Sequence, residues 1–349
     1  MPAISPPATV LVTGITGFIG SHVAHAYLSA GFAVRGTARS ATKGEHLRSL
    51  FERDFPGKFE LVVADIEDAD SLVSAARGVD GIAHVASPIF RPPPMSDPQL
   101  LIGPAVNGTL NVLKAAAKSG TVKRVVITGS VGAIRDPSAV SPTTYSSRDW
   151  NDYSVKQVEQ LGPKVDANGM YYASKVLAER GATKWVEENK PGFDLAYVLP
   201  AWTFGPVLTQ FSSVDQLPDT PKELYNVFAK PRSGKELATS LPGPCIHVLD
   251  VARAHVDALV REELGGARLI LALNADVTFQ DYYDAYWSLP EGERPKLPFE
   301  VTKGEPQVWK AAVRDRWVNS EEVLGWSYRS LSIMVRDNLE DIATQLYKV

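Results

Sequence analysis

Apolar runs of four to six residues alternate with stretches whose apolar positions recur at helical spacing. Residues 9–13 (Thr-Val-Leu-Val-Thr) have no polar face, which predicts a strand buried on both sides. Glycines interrupt the chain there, and residues 18–30 then carry a helical pattern. The exchange repeats as strand 32–37, helix 43–55, strand 59–64, helix 68–77 and strand 81–85. Residues 88–98 hold five prolines and predict a loop. A helix over about 100–118 and a strand over 124–128 follow. A long polar loop covers 132–153, a helix 170–189 ends before Pro191, and a strand over 193–199 is stopped by Pro200. Strands alternating with helices predict right-handed βαβ units and an α/β, doubly wound parallel sheet covered on both faces.

The later chain is less regular. Residues 211–244 carry prolines and one candidate helix at 221–229. Residues 246–249, a helix at 251–261, a strand at 268–273 and a capped helix from Thr278 continue the alternation, and a last helix spans 331–347. This order predicts a first domain over residues 1–200, with returns near 245–265. A smaller C-terminal substrate lobe is expected mainly over residues 201–349.

Composition narrows the function classes. The 349 residues suit one large α/β body with a smaller lobe, and 44% hydrophobic with 22% charged residues is ordinary for a globular chain. A net charge of −4 gives no basic footprint for nucleic acid or an anionic membrane. No run approaches the ~18 apolar residues of a membrane span. The single cysteine, Cys245, cannot form an intrachain disulfide and fits a reducing compartment. Residues 1–8 carry three prolines and no Lys or Arg, unlike a secretory signal. A cytoplasmic protein, monomer or homodimer, is expected. No internal repeat and no metal site is read from the chain.

The first strand and helix enclose Gly14, Gly17 and Gly20, a G-x-x-G-x-x-G turn. Glycines let backbone approach a pyrophosphate, and a helix N-terminus offers it N–H groups and a positive dipole end. The position makes this a dinucleotide turn and the sheet a Rossmann fold. Enzymes that take NAD place an acid about 20 residues further on, to hold the ribose 2′-hydroxyl. Here no Asp or Glu precedes Glu45, whereas Arg35, Arg39 and Lys43 do. Cations suit a 2′-phosphate, so NADP(H) is the expected cofactor.

Tyr171 and Lys175 lie four apart on a predicted helix and therefore share a face. An ammonium near a phenol favours the phenolate and lowers its pKa, which would let the pair exchange protons with a carbonyl or alcohol oxygen. Tyr172 is three from Lys175, the other spacing. Ser130 ends the strand at 124–128, at the edge of the sheet that faces the cofactor crevice, where its hydroxyl can bind the substrate oxygen.

These residues resemble the extended (atypical) short-chain dehydrogenase/reductase superfamily. The chain is most similar to its dihydroflavonol reductase-like branch, with fungal and yeast aldehyde/ketone reductases. The likeness runs over nearly the whole chain through Val12-Thr13-Gly14-Ile15-Thr16-Gly17-Phe18-Ile19-Gly20, Val34-Arg35-Gly36-Thr37-Ala38-Arg39, His84-Val85-Ala86-Ser87-Pro88, Val106-Asn107-Gly108-Thr109, Tyr171 to Glu179, and His247-Val248-Leu249-Asp250-Val251-Ala252. The resemblance implies that Thr16, Phe18 and Ile19 complete the phosphate turn. It implies that Arg39 holds the 2′-phosphate with help from Lys43, and that Asp65 and Ile66 line the adenine pocket. Ala86, Ser87 and Pro88 would flank the ribose and nicotinamide linkage. Lys175 would bind the nicotinamide ribose, and Pro200 with the backbone to Thr203 would pack on the nicotinamide. His247 would be structural, at a helix entry.

The departures shape the substrate. Nucleotide-sugar epimerases resemble Arg-x-x-Asn-Val-Tyr-Gly-Pro where this chain reads Leu199-Pro200-Ala201-Trp202-Thr203-Phe204-Gly205-Pro206. Sugar dehydratases resemble Thr-Asp-Glu where it reads Gly129-Ser130-Val131. Cinnamoyl-CoA reductases resemble Asn-Trp-Tyr-Cys-Tyr-Gly-Lys where it reads Gly169 to Lys175. Plant dihydroflavonol reductases carry Asn where it has Arg135. Ile89, Phe90, Val131, Tyr171, Trp202, Leu208 and Phe211 would line an apolar pocket, or serve as core. The leading expectation is NADPH-dependent reduction of an aldehyde or ketone. The rivals are NADP-dependent oxidation of a secondary alcohol, a sugar epimerase-like reaction, and a binding protein that senses NADP without turnover.

Overall fold

The computed structural model describes residues 4–88, 97–230, 232–238, 243–305 and 314–348. Its elements follow in order as β1 (Thr9–Thr13), α1 (Phe18–Ser29), β2 (Ala33–Ala38), α2 (Ala41–Asp54), β3 (Phe59–Val63), α3 (Ala69–Ala75) and β4 (Gly81–His84). Then come α4 (Gln99–Ser119), β5 (Arg124–Thr128), β6 (Thr144–Tyr145), α5 (Asp152–Leu161), α6 (Ala167–Asn189), β7 (Asp194–Pro200) and β8 (Trp202–Phe204). The rest comprises α7 (Asp219–Ala229), β9 (Cys245–His247), α8 (Val248–Val260), β10 (Arg268–Leu271), α9 (Phe279–Ser288), β11 (Arg316–Trp317), α10 (Glu321–Leu324) and α11 (Leu331–Tyr347).

Seven strands form one sheet in the order β10-β7-β5-β4-β1-β2-β3, and the pairs from β7 to β3 are parallel. The order reverses direction between β1 and β4, which is the switch point where doubly wound sheets open a crevice at their strand C-termini. The apolar runs are its core. Val10, Val12, Ile82, Ala83, Val125, Val126, Ala196 and Val198 are all fully buried, as parallel strands covered on both faces require.

The chain divides into two compact units. One comprises Met1–Ala139, Ser146–Leu199 and Ala252–Leu269, and the other Val140–Tyr145, Pro200–Val251 and Ile270–Val349. In the first unit, buried Arg124 forms a two-pronged pair with Asp194 at 2.6 and 2.9 Å and donates to the carbonyls of Ala258, Arg261 and Glu262. In the second unit, β8 pairs with β9, α9 starts with a Thr278–Asp281 capping box, and Asp250 binds Arg329.

Three expectations need correction. The strand expected at 246–249 is a three-residue strand that pairs with β8 outside the large sheet, because His247 Nδ1 accepts the Leu249 N–H and the chain turns at once into α8. The expected loop 132–153 is shorter than read, since Asn151 caps Ser154 N–H and starts α5 at Asp152. Helix α6 begins at Ala167, ahead of residue 170, because the Asp166 carboxylate accepts the Gly169 N–H at 2.7 Å.

Candidate active site

The site grows from the C-terminal ends of β1, β4 and β5. After β1 the chain turns at Gly14, whose φ is +71°. A Cβ on Gly14 would lie 2.9 Å from Ala86 Cα, and one on Gly20 would lie 2.2 Å from the Gly14 oxygen. Only glycine lets α1 begin this close to the strand. Gly17 is the exposed N-cap of α1. It supplies no side-chain acceptor, and no acid stands in the first turn. The helix therefore opens with N–H groups that no side chain caps, beside half-buried Thr16, Phe18 and Ile19, and its dipole favours an anion there.

Arg39 directly follows β2 and Lys43 lies in the first turn of α2. Both are exposed, and Arg39 has no carboxylate partner among the described residues. Arg35 does not join them. Its guanidinium binds Glu60 at 2.7 Å and the carbonyls of Ala75 and Arg77, so its donors are used within the fold. The turn after β3 is fastened to its neighbours. Asp65 donates its N–H to Ser71 Oγ, and the Ile66 carbonyl accepts from Asn111 Nδ2 at 3.0 Å. The Ile66 side chain fills the space that a Cβ on Gly108 would take.

His84, at the end of β4, organises the next segment. Thr13 Oγ1 accepts the N–H groups of Val85 and Ala86, so its proton goes to His84 Nδ1 at 3.0 Å. That leaves Nε2–H to donate to Thr109 Oγ1, which in turn donates to the Ala105 carbonyl. Burial and the charge of Lys175 depress the imidazole to about 3, and it stays neutral. The chain has no charge pattern that singles out this residue, and its role here is to hold Val85 and Ala86 in place. Ser87 and Pro88 follow, both partly exposed.

Ser130, two residues beyond β5, is 8% exposed, and its Oγ accepts the Gly132 N–H at 3.0 Å. Lys175 is buried in α6 and donates to Ser87 Oγ at 3.0 Å. Its Nζ lies 5.6 Å from the centre of the Tyr171 ring. The Ser130 hydroxyl is near enough to the Tyr171 phenol to act on it, and with Lys175 against the ring the three expected catalytic side chains and Ser87 come together. The expected electrostatics are corrected. Burial pushes the Tyr171 phenol above its ordinary value, and the opposing pull comes from Ser130, not from Lys175. The ammonium sits against the ring and is itself lowered to about 8 by burial, with the Glu179 carboxylate opposing that fall.

A support absent from the sequence reading stands behind these groups. Glu179, one turn beyond Lys175, pairs with Arg268 at 2.6 Å. The Arg268 guanidinium lies 3.9 Å from the Trp150 ring centre, Arg180 lies 4.6 Å from the same ring, and Arg268 donates to the carbonyls of Ser147 and Asp149. Long side chains at these sequence separations leave no local signal.

Of the expected pocket residues, Ile89 and Phe90 lie outside the described residues. Val131 is buried in the turn after Ser130. In the second unit, Pro200 ends β7, and buried Thr203 donates to the Ala201 carbonyl. There too Trp202 stacks on Phe204, Leu208 is partly exposed and Phe211 is buried. Among the described residues no cluster of His, Cys, Asp and Glu could hold a metal, and no helix is long and apolar enough to cross a membrane.

Known proteins are similar to this chain in sequence and in fold. Aldehyde reductase 2 of Sporidiobolus salmonicolor is 34% identical over 265 residues, 74% of this chain and 75% of its own. The structure of yeast methylglyoxal/isovaleraldehyde reductase Gre2 complexed with NADPH matches with a TM-score of 0.81 and 26% identity, over 96% of this chain and 98% of that one. Gre2 from Candida albicans, also in complex with NADPH, gives 0.81 and 27% over 97% and 99%. The model of the NAD dependent epimerase/dehydratase family matches residues 10–270, three quarters of the sequence, and the chain belongs to that family.

Proposed function

We propose that this chain reduces an aldehyde or ketone to the alcohol with NADPH, with Tyr171 as proton donor and Ser130 and Lys175 assisting. The observation that carries this reading is the cluster at the ends of β4 and β5, where Lys175 of α6 binds Ser87 at 3.0 Å and lies 5.6 Å from the centre of the Tyr171 ring, with Ser130 at the turn after β5. The residues present fit the cofactor. The uncapped start of α1 and the close Gly14–Gly20 approach suit a pyrophosphate, and exposed Arg39 with Lys43 suits a 2′-phosphate. Asp65, Ile66, Ala86, Ser87, Pro88 and Lys175 would complete its contacts within the first unit. When bound, NADPH supplies the hydride that the carbonyl carbon receives.

The side chains then manage the oxygen. Ser130 Oγ accepts from Gly132, which leaves its own proton available for donation to the carbonyl oxygen. Tyr171, held above its ordinary pKa, stays protonated at neutral pH, as a proton donor must. Ser130, which favours the ionised phenol, steadies the phenolate left behind, and Lys175 is fixed beside the ring by Ser87. The names of the reductases above support a small carbonyl substrate. The test is loss of NADPH absorbance with a panel of aldehydes and ketones, expected to be faster than with NADH. NADPH binding without turnover of any carbonyl would instead mark a sensor.

A further inference from the structure

We infer that Asn151 is a positioning residue for the reduction: through Gly132 it sets the direction in which Ser130 presents its hydroxyl to Tyr171. The inference rests on the catalytic reading of Ser130 and Tyr171 given above.

Asn151 is fully buried, and both ends of its side-chain amide and its backbone N–H are hydrogen-bonded. Its Nδ2 donates to the Gly132 carbonyl at 3.0 Å, its backbone N–H donates to the Ala133 carbonyl at 2.9 Å, and its Oδ1 accepts the Ser154 N–H at 2.9 Å. These partners fix which way the amide points. Gly132 is the residue whose N–H holds Ser130 Oγ. The same residue is pressed at its Cα. A Cβ on Gly132 would lie 2.4 Å from Tyr172 Cδ1, so the ring next to Tyr171 lies directly on this turn. The Gly132 carbonyl is tied to Asn151, its Cα abuts Tyr172 and its N–H is aimed at Ser130. Asn151 is itself anchored to the catalytic helix. Its neighbour Trp150 has both Arg180 and Arg268 against its ring, and Arg268 is paired with Glu179 on α6. The segment 147–151 thus braces the Ser130 turn against the helix that carries Tyr171 and Lys175.

The test is a double-mutant cycle. Asn151→Ser keeps an N-cap for Ser154 but is too short to reach the Gly132 carbonyl. It should lower kcat roughly tenfold, the scale of one lost buried hydrogen bond, with the KM for NADPH unchanged. The basic limb of kcat should move to higher pH, because a loosened Ser130 no longer favours the phenolate. In a Ser130→Ala background the same substitution should change neither kcat nor the pH profile. Asn151→Asp, which also caps but turns a lone pair toward Gly132, should behave like the serine variant and serves if that variant folds poorly. Wild-type kcat in both variants, or an equal loss in both backgrounds, would overturn the inference and assign Asn151 to the helix cap alone. Wild-type turnover in Ser130→Ala would instead remove the catalytic reading, and this inference with it.

Discussion

Glu179→Gln keeps the shape of a buried side chain and removes its charge. Glu179 is 2% exposed and Arg268 13%, with 2.6 Å between them. Removing one member of a buried pair leaves the other without its counter-charge, at a cost of about 3–5 kcal/mol. Arg268 keeps two carbonyls and the Trp150 face, so the lower figure, about 3 kcal/mol, applies. Unfolding entropy near Tm is about 2.1 cal/mol/K per residue, or about 0.7 kcal/mol/K for 349 residues. Dividing 3 by 0.7 gives a fall in Tm of about 4 °C, readable by calorimetry.

The same variant has a second expected effect. The Glu179 carboxylate raises Lys175 against the lowering by burial. Without it Lys175 should lose its proton below its wild-type value of about 8. The basic limb of kcat/KM for NADPH should move to lower pH. A Tm within about 1 °C of wild type and an unmoved limb would refute the reasoning. The cost of burying the carboxylate would then cancel what the pair contributes.

Tyr171→Phe should bind NADPH normally and lose at least about 100-fold in kcat, whereas Tyr172→Phe, which keeps its ring on Gly132, should stay active; steady-state kinetics with NADPH titration decides. The reverse pattern would place the proton donor on the neighbouring residue. Arg39→Ala should raise the KM for NADPH roughly ten- to a hundredfold and leave that for NADH unchanged, and equal effects on both would remove Arg39 from the 2′-phosphate site. In the wild type, kcat/KM for NADPH should fall above about pH 8, because Lys175 is an ammonium only below that value, and a flat profile through pH 9 would contradict the assigned role.

The strands and the glycine turn were legible because local composition determines them. Strands buried on both faces must be apolar and β-branched, and Gly14 and Gly20 stand where a Cβ would collide with backbone. Tyr171 and Lys175 were legible from their spacing on a helix, and Ser130 from its place after a strand. Direction was harder. Counting cations after β1 included Arg35, but the sequence does not show that its side chain turns to Glu60. Spacing placed Lys175 beside Tyr171, yet burial raises the phenol and the opposing pull comes from Ser130. Residues 147–151 are loop as expected, but their bracing role was not legible because the partners, Arg268 and Gly132, are distant in the chain or are met through backbone carbonyls.

The guanidinium of Arg124 also bears on how the chain can be made. It belongs to a strand of the first unit, but three of its carbonyl partners lie at Ala258, Arg261 and Glu262, 134 to 138 residues later. Tyr27 likewise donates to the His255 carbonyl, and Thr128 meets His255 Nε2 at 2.7 Å. A nascent chain that has emerged only to residue 199 therefore carries a core arginine whose helix-end acceptors have not been synthesised. Closing the first unit must wait for α8, which makes it a fold of high contact order whose final step is non-local. A circular permutant opened at residue 252, in which residues 252–269 are made before Arg124, should remove that wait during synthesis. Fragments cut at residue 199 should expose the polar groups that α8 covers and remain prone to aggregation.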